Sequence, residues 1–85
     1  MKTGEWKTLY IEKNQIKFQG EYINDIPTGK HIYYFPNGEI KEVGKYKDVE
    51  KEGEWRHFNN KGDIIVTYLY KRGIEIKRDG IKIRQ

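Results

Sequence analysis

Polar and apolar residues alternate along most of this chain, and turn-forming residues interrupt the alternation at regular intervals. The interruptions are Glu12-Lys13-Asn14, Pro36-Asn37-Gly38, Asn59-Asn60-Lys61-Gly62 and Asp79-Gly80. Asn-Gly and Asp-Gly supply the positive φ angles that tight hairpin turns need. The runs between them are rich in β-branched and aromatic residues. They predict strands near residues 5–11, 15–22, 30–35, 39–46, 54–58, 63–70, 74–78 and 81–84. No stretch carries a helical period.

The pattern also repeats. Gly20-Glu21-Tyr22 and Gly44-Lys45-Tyr46 are 24 residues apart, as are Gly29 and Gly53, and Gly4 precedes Gly29 by 25. A fixed period of this length indicates stacked copies of one supersecondary unit.

Register follows from the turns. A loop at Asn37-Gly38 sets Phe35 opposite Ile40, Tyr33 opposite Glu42 and His31 opposite Gly44. The first hairpin then pairs Tyr10 with Ile16, Thr8 with Phe18 and Trp6 with Gly20. The third pairs Asn59 with Ile64, His57 with Val66 and Trp55 with Tyr68. The frames superpose, making Trp6, His31 and Trp55 equivalent, as are Tyr22, Tyr46 and Tyr70. A ring opposite glycine restores burial that glycine forfeits. Trp6 is therefore expected over Gly20 and His31 over Gly44, with Tyr68 breaking the pattern.

One face carries Trp6, Tyr10, Tyr22, Tyr33, Phe35, Tyr46, Trp55 and Tyr70. The other carries Leu9, Ile32, Tyr34, Val43, Phe58, Ile65 and Leu69. A single antiparallel sheet with two partly apolar faces must curl on itself, dimerise or bind something. The last hairpin differs: with Asp79-Gly80 as its turn, Ile74, Ile76, Ile81 and Ile83 share a face. A divergent end unit is what a stacked array needs as a cap.

Composition adds constraints. At 85 residues the chain is expected to form a single domain spanning 1–85. The 14% aromatic content argues for order despite low mean hydropathy. The absence of cysteine excludes disulfides and thiolate metal sites. Together with an N-terminus lacking an apolar run, it leads to the expectation of a cytoplasmic protein. No segment is apolar enough to cross a membrane. The net charge of +4 is concentrated at the ends, with six Lys/Arg against two acids in residues 71–85.

Gly20-Glu21-Tyr22-Ile23-Asn24, Gly29, Tyr33-Tyr34-Phe35-Pro36-Asn37-Gly38 and Gly44-Lys45-Tyr46 together resemble the MORN repeat, in the variant form common in bacterial proteins. Gly4-Glu5-Trp6 and Gly53-Glu54-Trp55 resemble its Gly-x-Trp element. The resemblance covers residues 4–73 as about three units, leaving 74–84 as the capping hairpin. Its departures are an inserted residue near Asn14, His31 in place of Trp, Tyr68 in place of Gly, and a shortened link from Tyr70 to Gly73. The resemblance implies an all-β antiparallel meander of hairpin repeats forming an elongated, twisted single sheet. It also implies a role as a protein-interaction scaffold, often dimeric. Some members are linked to phospholipid, and bacterial variants are described as antitoxin-like partners.

Candidate chemistry is sparse. His31 and His57 lie in different repeats without cysteine or a paired acid, so both are expected to have a structural or surface role. Asp25, Asp48 and Asp63 are expected in turns, and Glu50-Lys51-Glu52 in a solvated loop between repeats. Serine is absent, and Thr3, Thr8, Thr28 and Thr67 sit in no triad context. No Gly-rich phosphate loop is present. The chain is therefore expected to lack enzymatic activity, metal and cofactor.

Two surfaces remain as binding candidates. The aromatic residues Trp6, Tyr22, Tyr33, Tyr46, Trp55 and Tyr70 are expected to dock a protein partner or a second copy, or else to form the core of a thin sheet. The basic residues Lys71, Arg72, Lys77, Arg78, Lys82 and Arg84 are expected to protect an edge strand. The alternative for them is attraction of nucleic acid or anionic lipid.

Overall fold

A computed structural model describes residues 2–12 and 14–80. They form one antiparallel sheet: β1 (Gly4–Leu9), β2 (Ile16–Ile23), β3 (Ile26–Tyr34), β4 (Ile40–Lys47), β5 (Glu50–Phe58), β6 (Ile64–Lys71) and β7 (Ile74–Gly80). Each strand pairs only with its sequence neighbours, in the order β1 to β7. The sheet is a meander that does not close into a barrel, as the repeat implied. Its extents are 45 × 37 × 12 Å, so it is a single layer.

The hairpin registers agree with those read from the sequence in their middle portions. Thr8 faces Phe18, Trp6 faces Gly20, Tyr33 faces Glu42, His31 faces Gly44, and Trp55 faces Tyr68. Near the turns the pairing shifts by one residue. Leu9, Tyr34 and Phe58 take the places expected for Tyr10, Phe35 and Asn59, opposite Ile16, Ile40 and Ile64. The turns are the cause. Gly38 donates to the Phe35 carbonyl at 2.9 Å, and Phe35 donates to Glu39 at 2.8 Å. This is a three-residue loop with glycine left-handed, φ +93°. Gly62, φ +94°, repeats the geometry with Asn59. One extra residue per hairpin (Lys17, Lys41 and Ile65) then forms a β-bulge that restores the register.

The links between hairpins are tighter than the sequence suggested. Asn24-Asp25, with φ of 49° and 68°, makes a two-residue turn between Ile23 and Ile26. Asp48 and Arg72 begin the corresponding later turns at φ 57° and 53°. Consequently Glu50-Lys51-Glu52 is not a loop: it opens β5, opposite Lys47, Tyr46 and Lys45. The strands continue past Gly29 and Gly53 because each adopts positive φ, 65° and 76°, in a second bulge.

The expected turn at Asp79-Gly80 is absent. Both residues belong to β7, paired with Thr67 and Val66. The turn at Arg72-Gly73 already aligns β7 along β6, and that ladder overrides the turn preference of Asp-Gly. The strand expected over 81–84 lies outside the described residues.

A single layer offers little interior. Among the described residues Ile32, Trp55 and His31 are the buried side chains. His31 and Trp55 are buried on the aromatic face and Ile32 on the opposite one.

Candidate functional site

The aromatic face is assembled by alternation within strands and by register between them. Residues facing one another across the sheet form a row: Trp6, Gly20, His31, Gly44, Trp55, Tyr68 and Arg78. Tyr22, Tyr46 and Tyr70 stand two residues beyond Gly20, Gly44 and Tyr68, on the same side.

The rings lie in contact across β2 to β6. Centroids of Tyr22 and His31 are 5.3 Å apart, His31 and Tyr46 4.8 Å, Tyr46 and Trp55 5.1 Å, and Trp55 and Tyr70 6.5 Å, each edge to face. This geometry suits the aromatic quadrupole. Phe18 extends the array to His31 and Tyr33. All six expected aromatic residues thus share one face.

The glycines are covered, but not by the rings expected. A β-carbon at Gly20 would overlap the His31 imidazole, and one at Gly44 would overlap the Trp55 indole. Each ring comes from the strand after the hairpin, whereas the sequence reading placed Trp6 over Gly20 and His31 over Gly44. The bulge at Gly29 or Gly53 carries the following ring into place. The buried ring nitrogens are then satisfied equivalently. His31 Nε2–H donates to the Glu21 carbonyl at 2.9 Å, and Trp55 Nε1–H donates to the Lys45 carbonyl at 3.0 Å. Carbonyls only accept, so His31 carries its proton on Nε2. That accounts for one histidine as a substitute Trp.

Cations cap the ends of the array. Lys2 Nζ lies 5.5 Å from the Trp6 ring centroid and 4.9 Å from that of Tyr22. Lys51 Nζ lies 4.6 Å from Trp55 and 5.0 Å from Tyr70. These lysines are equivalent in the repeat, and both exploit the negative ring face. Arg78 reaches its place because the last link has one bulge residue fewer, which puts it opposite Tyr68 with Cζ 5.0 Å from the ring.

Exposure separates the candidates. Trp6 is 41% exposed and Tyr33 37%, whereas Trp55 is 1% exposed. Trp55 therefore belongs to the core and offers a partner no surface. Tyr22, Tyr46 and Tyr70 are half-buried. Burial pushes the Tyr33 and Tyr46 hydroxyls above the ordinary phenol range, and the Glu42 carboxylate adds to this. Burial does the same to Tyr70, helped by Glu75.

Glu42 was not among the sequence candidates. It stands between Tyr33 and His57, with His57 Nε2 3.4 Å from its Oε2. Its nearness to Tyr33 was legible from the hairpin register. Its nearness to His57 depends on the Gly53 bulge and was not.

The four basic candidates among the described residues do not gather. Lys71 and Arg72 lie at the β6–β7 turn, against Lys47, Asp48, Glu50 and Glu52. Lys77 and Arg78 are adjacent in a strand and point to opposite faces. Lys77 pairs with Asp79 at 4.0 Å, and Arg78 with Glu75 at 3.1 Å. Lys82 and Arg84 lie outside the described residues. Among the described residues there is no group of three or more metal-ligating side chains, and no helix long and apolar enough to cross a membrane.

Comparison with family models, with curated proteins and with solved structures found no match to this chain.

Proposed function

We propose that the chain is a non-enzymatic protein-interaction module of MORN-like hairpin repeats, a scaffold or antitoxin-like partner, docking another protein on its aromatic face. The observation that carries this reading is the exposure of Trp6 and Tyr33 on a sheet only 12 Å thick. Protein domains ordinarily cover an apolar sheet face with a second layer, and aromatic residues are preferred interface anchors. The array is already ordered by ring contacts and by Lys2 and Lys51, so docking on it costs little side-chain entropy. The alternative, electrostatic binding of nucleic acid or anionic lipid, gains little from the described basic residues Lys71, Arg72, Lys77 and Arg78, which are dispersed over a turn and two faces.

The test is affinity capture from nuclease-treated source lysate, comparing the wild-type chain with Tyr33→Ala and with Lys7→Ala on the opposite face. A stoichiometric protein retained by wild type and Lys7→Ala but lost by Tyr33→Ala is the expected outcome. Retention by Tyr33→Ala, or elution of lipid alone, would overturn the reading. Sedimentation of the purified chain separates a second copy from a foreign partner.

A further inference from the structure

Glu42 breaks the repeat at the centre of the aromatic face. The equivalent position is Phe18 in the first unit and Val66 in the third. The side chain of Glu42 is only 20% exposed, between the rings of Tyr33 and His57. Placing a carboxylate where the other units place an apolar group is costly unless a positive partner compensates it. His57 compensates only when protonated. No lysine or arginine among the described residues forms an ion pair with Glu42.

The same sheet shows what such a pair of groups holds. Arg78 donates from Nη2 to Glu75 Oε1 at 3.1 Å while its guanidinium lies over Tyr68. A carboxylate and a phenol ring together clamp one guanidinium, the carboxylate supplying charge-assisted hydrogen bonds and the ring a cation–π face. Glu42 and Tyr33 are the same two groups, facing each other across β3 and β4, and Tyr33 is open to solvent.

Building on the interaction-face reading above, we propose that Glu42 and Tyr33, with His57 as the far wall, form a receptor site for an arginine side chain of the partner protein. Arginine fits better than lysine, because its planar fork can engage both carboxylate oxygens while stacking on the phenol. The partner segment docking here is therefore basic, despite the positive net charge of the chain.

The probe is N-acetyl-arginine amide, titrated into the full chain and followed by the ring signals of Tyr33 and His57 in NMR spectra. N-acetyl-citrulline amide, of similar shape but uncharged, is the control. Saturable shifts with the arginine probe, roughly millimolar for so small a ligand, and at least about tenfold weaker binding in Glu42→Gln are expected. Equal responses to the two probes, or unchanged affinity in Glu42→Gln, would overturn the site. Tyr33→Leu keeps an apolar side chain while removing the ring, and should weaken binding several-fold with unaltered backbone signals. The two readings separate cleanly. Partner capture that needs Tyr33 but is indifferent to Glu42→Gln, with no arginine response, leaves the interface standing and refutes the arginine site. An arginine response without partner capture does the reverse.

Discussion

The indole of Trp55 occupies the space that a β-carbon on Gly44 would need, and its Nε1–H reaches past that glycine to the Lys45 carbonyl. Glycine is required here by close approach alone, since Gly44 has no positive φ. Gly44→Ala is therefore expected to destabilise the fold by about 1–3 kcal/mol through overpacking, or more if the indole is expelled. Urea unfolding followed by tryptophan fluorescence measures this directly. Unchanged stability would mean that the indole can tilt away at no cost.

Trp55 and Trp6 are equivalent in sequence but not in burial, at 1% and 41% exposure. Trp55→Ala should cost about 3–5 kcal/mol, as expected for loss of a buried aromatic. For a domain of this size that approaches the whole stability. Trp6→Ala loses a half-exposed ring on an edge strand and should cost about 1 kcal/mol. Thermal denaturation of the two variants side by side checks the contrast; equal losses would contradict it. Trp6 is consequently the better residue for testing partner docking.

These two tryptophans also show what the sequence could convey. The spacing of 25 and then 24 residues made Trp6, His31 and Trp55 equivalent, and alternation put the rings on one face. The pairings of Thr8 with Phe18 and Tyr33 with Glu42 were legible from the turn positions because the extra loop residue and the bulge offset one another. Bulges were the obscured element. Lys17 and Lys41 read as ordinary strand residues, because a bulge is a two-against-one pairing with no residue signature of its own. Gly29 and Gly53 read as loop residues, although they let β3 and β5 continue. That misreading assigned Trp6 rather than His31 to Gly20, and hid the approach of His57 to Glu42. Asp79-Gly80 failed for the opposite reason: a strong local turn preference gave way to pairing with β6. Among the described basic residues, Lys77 and Arg78 are neighbours in sequence but point to opposite faces of β7.

Arg72 opens the β6–β7 turn at φ 53°, and Gly73 follows at φ 78°. Two successive positive φ angles define a turn for which Asn-Gly is the preferred pair. A left-handed arginine carries a steric cost that asparagine largely avoids. Arg72→Asn should therefore stabilise the chain by about 0.5–1 kcal/mol while removing a positive charge from the C-terminal region. Denaturant midpoints report the stability. The same variant, mixed with anionic vesicles or nucleic acid, addresses the electrostatic alternative: if binding occurs and disappears with Arg72, that alternative gains the ground.

Alkali should loosen the aromatic face. Burial raises Tyr33, Tyr46 and Tyr70 above the ordinary phenol value of 10.0. In the folded chain these hydroxyls hold their protons at a pH where the unfolded chain has begun to lose them. The native state then binds more protons than the unfolded state, so stability falls as pH rises. The contribution is fully present below about pH 10 and is lost as pH climbs through the raised native values. Denaturant midpoints should accordingly be flat at neutral to mildly alkaline pH and decline above about pH 10. Tyrosinate absorbance in the native chain should show a late-ionising fraction among its seven tyrosines. A Tyr46→Phe variant should show a shallower decline, because one raised group is removed from the face while its ring contacts to His31 and Trp55 are kept. A decline that begins well below pH 10, or one that Tyr46→Phe leaves unaltered, would place the alkaline sensitivity elsewhere in the sheet.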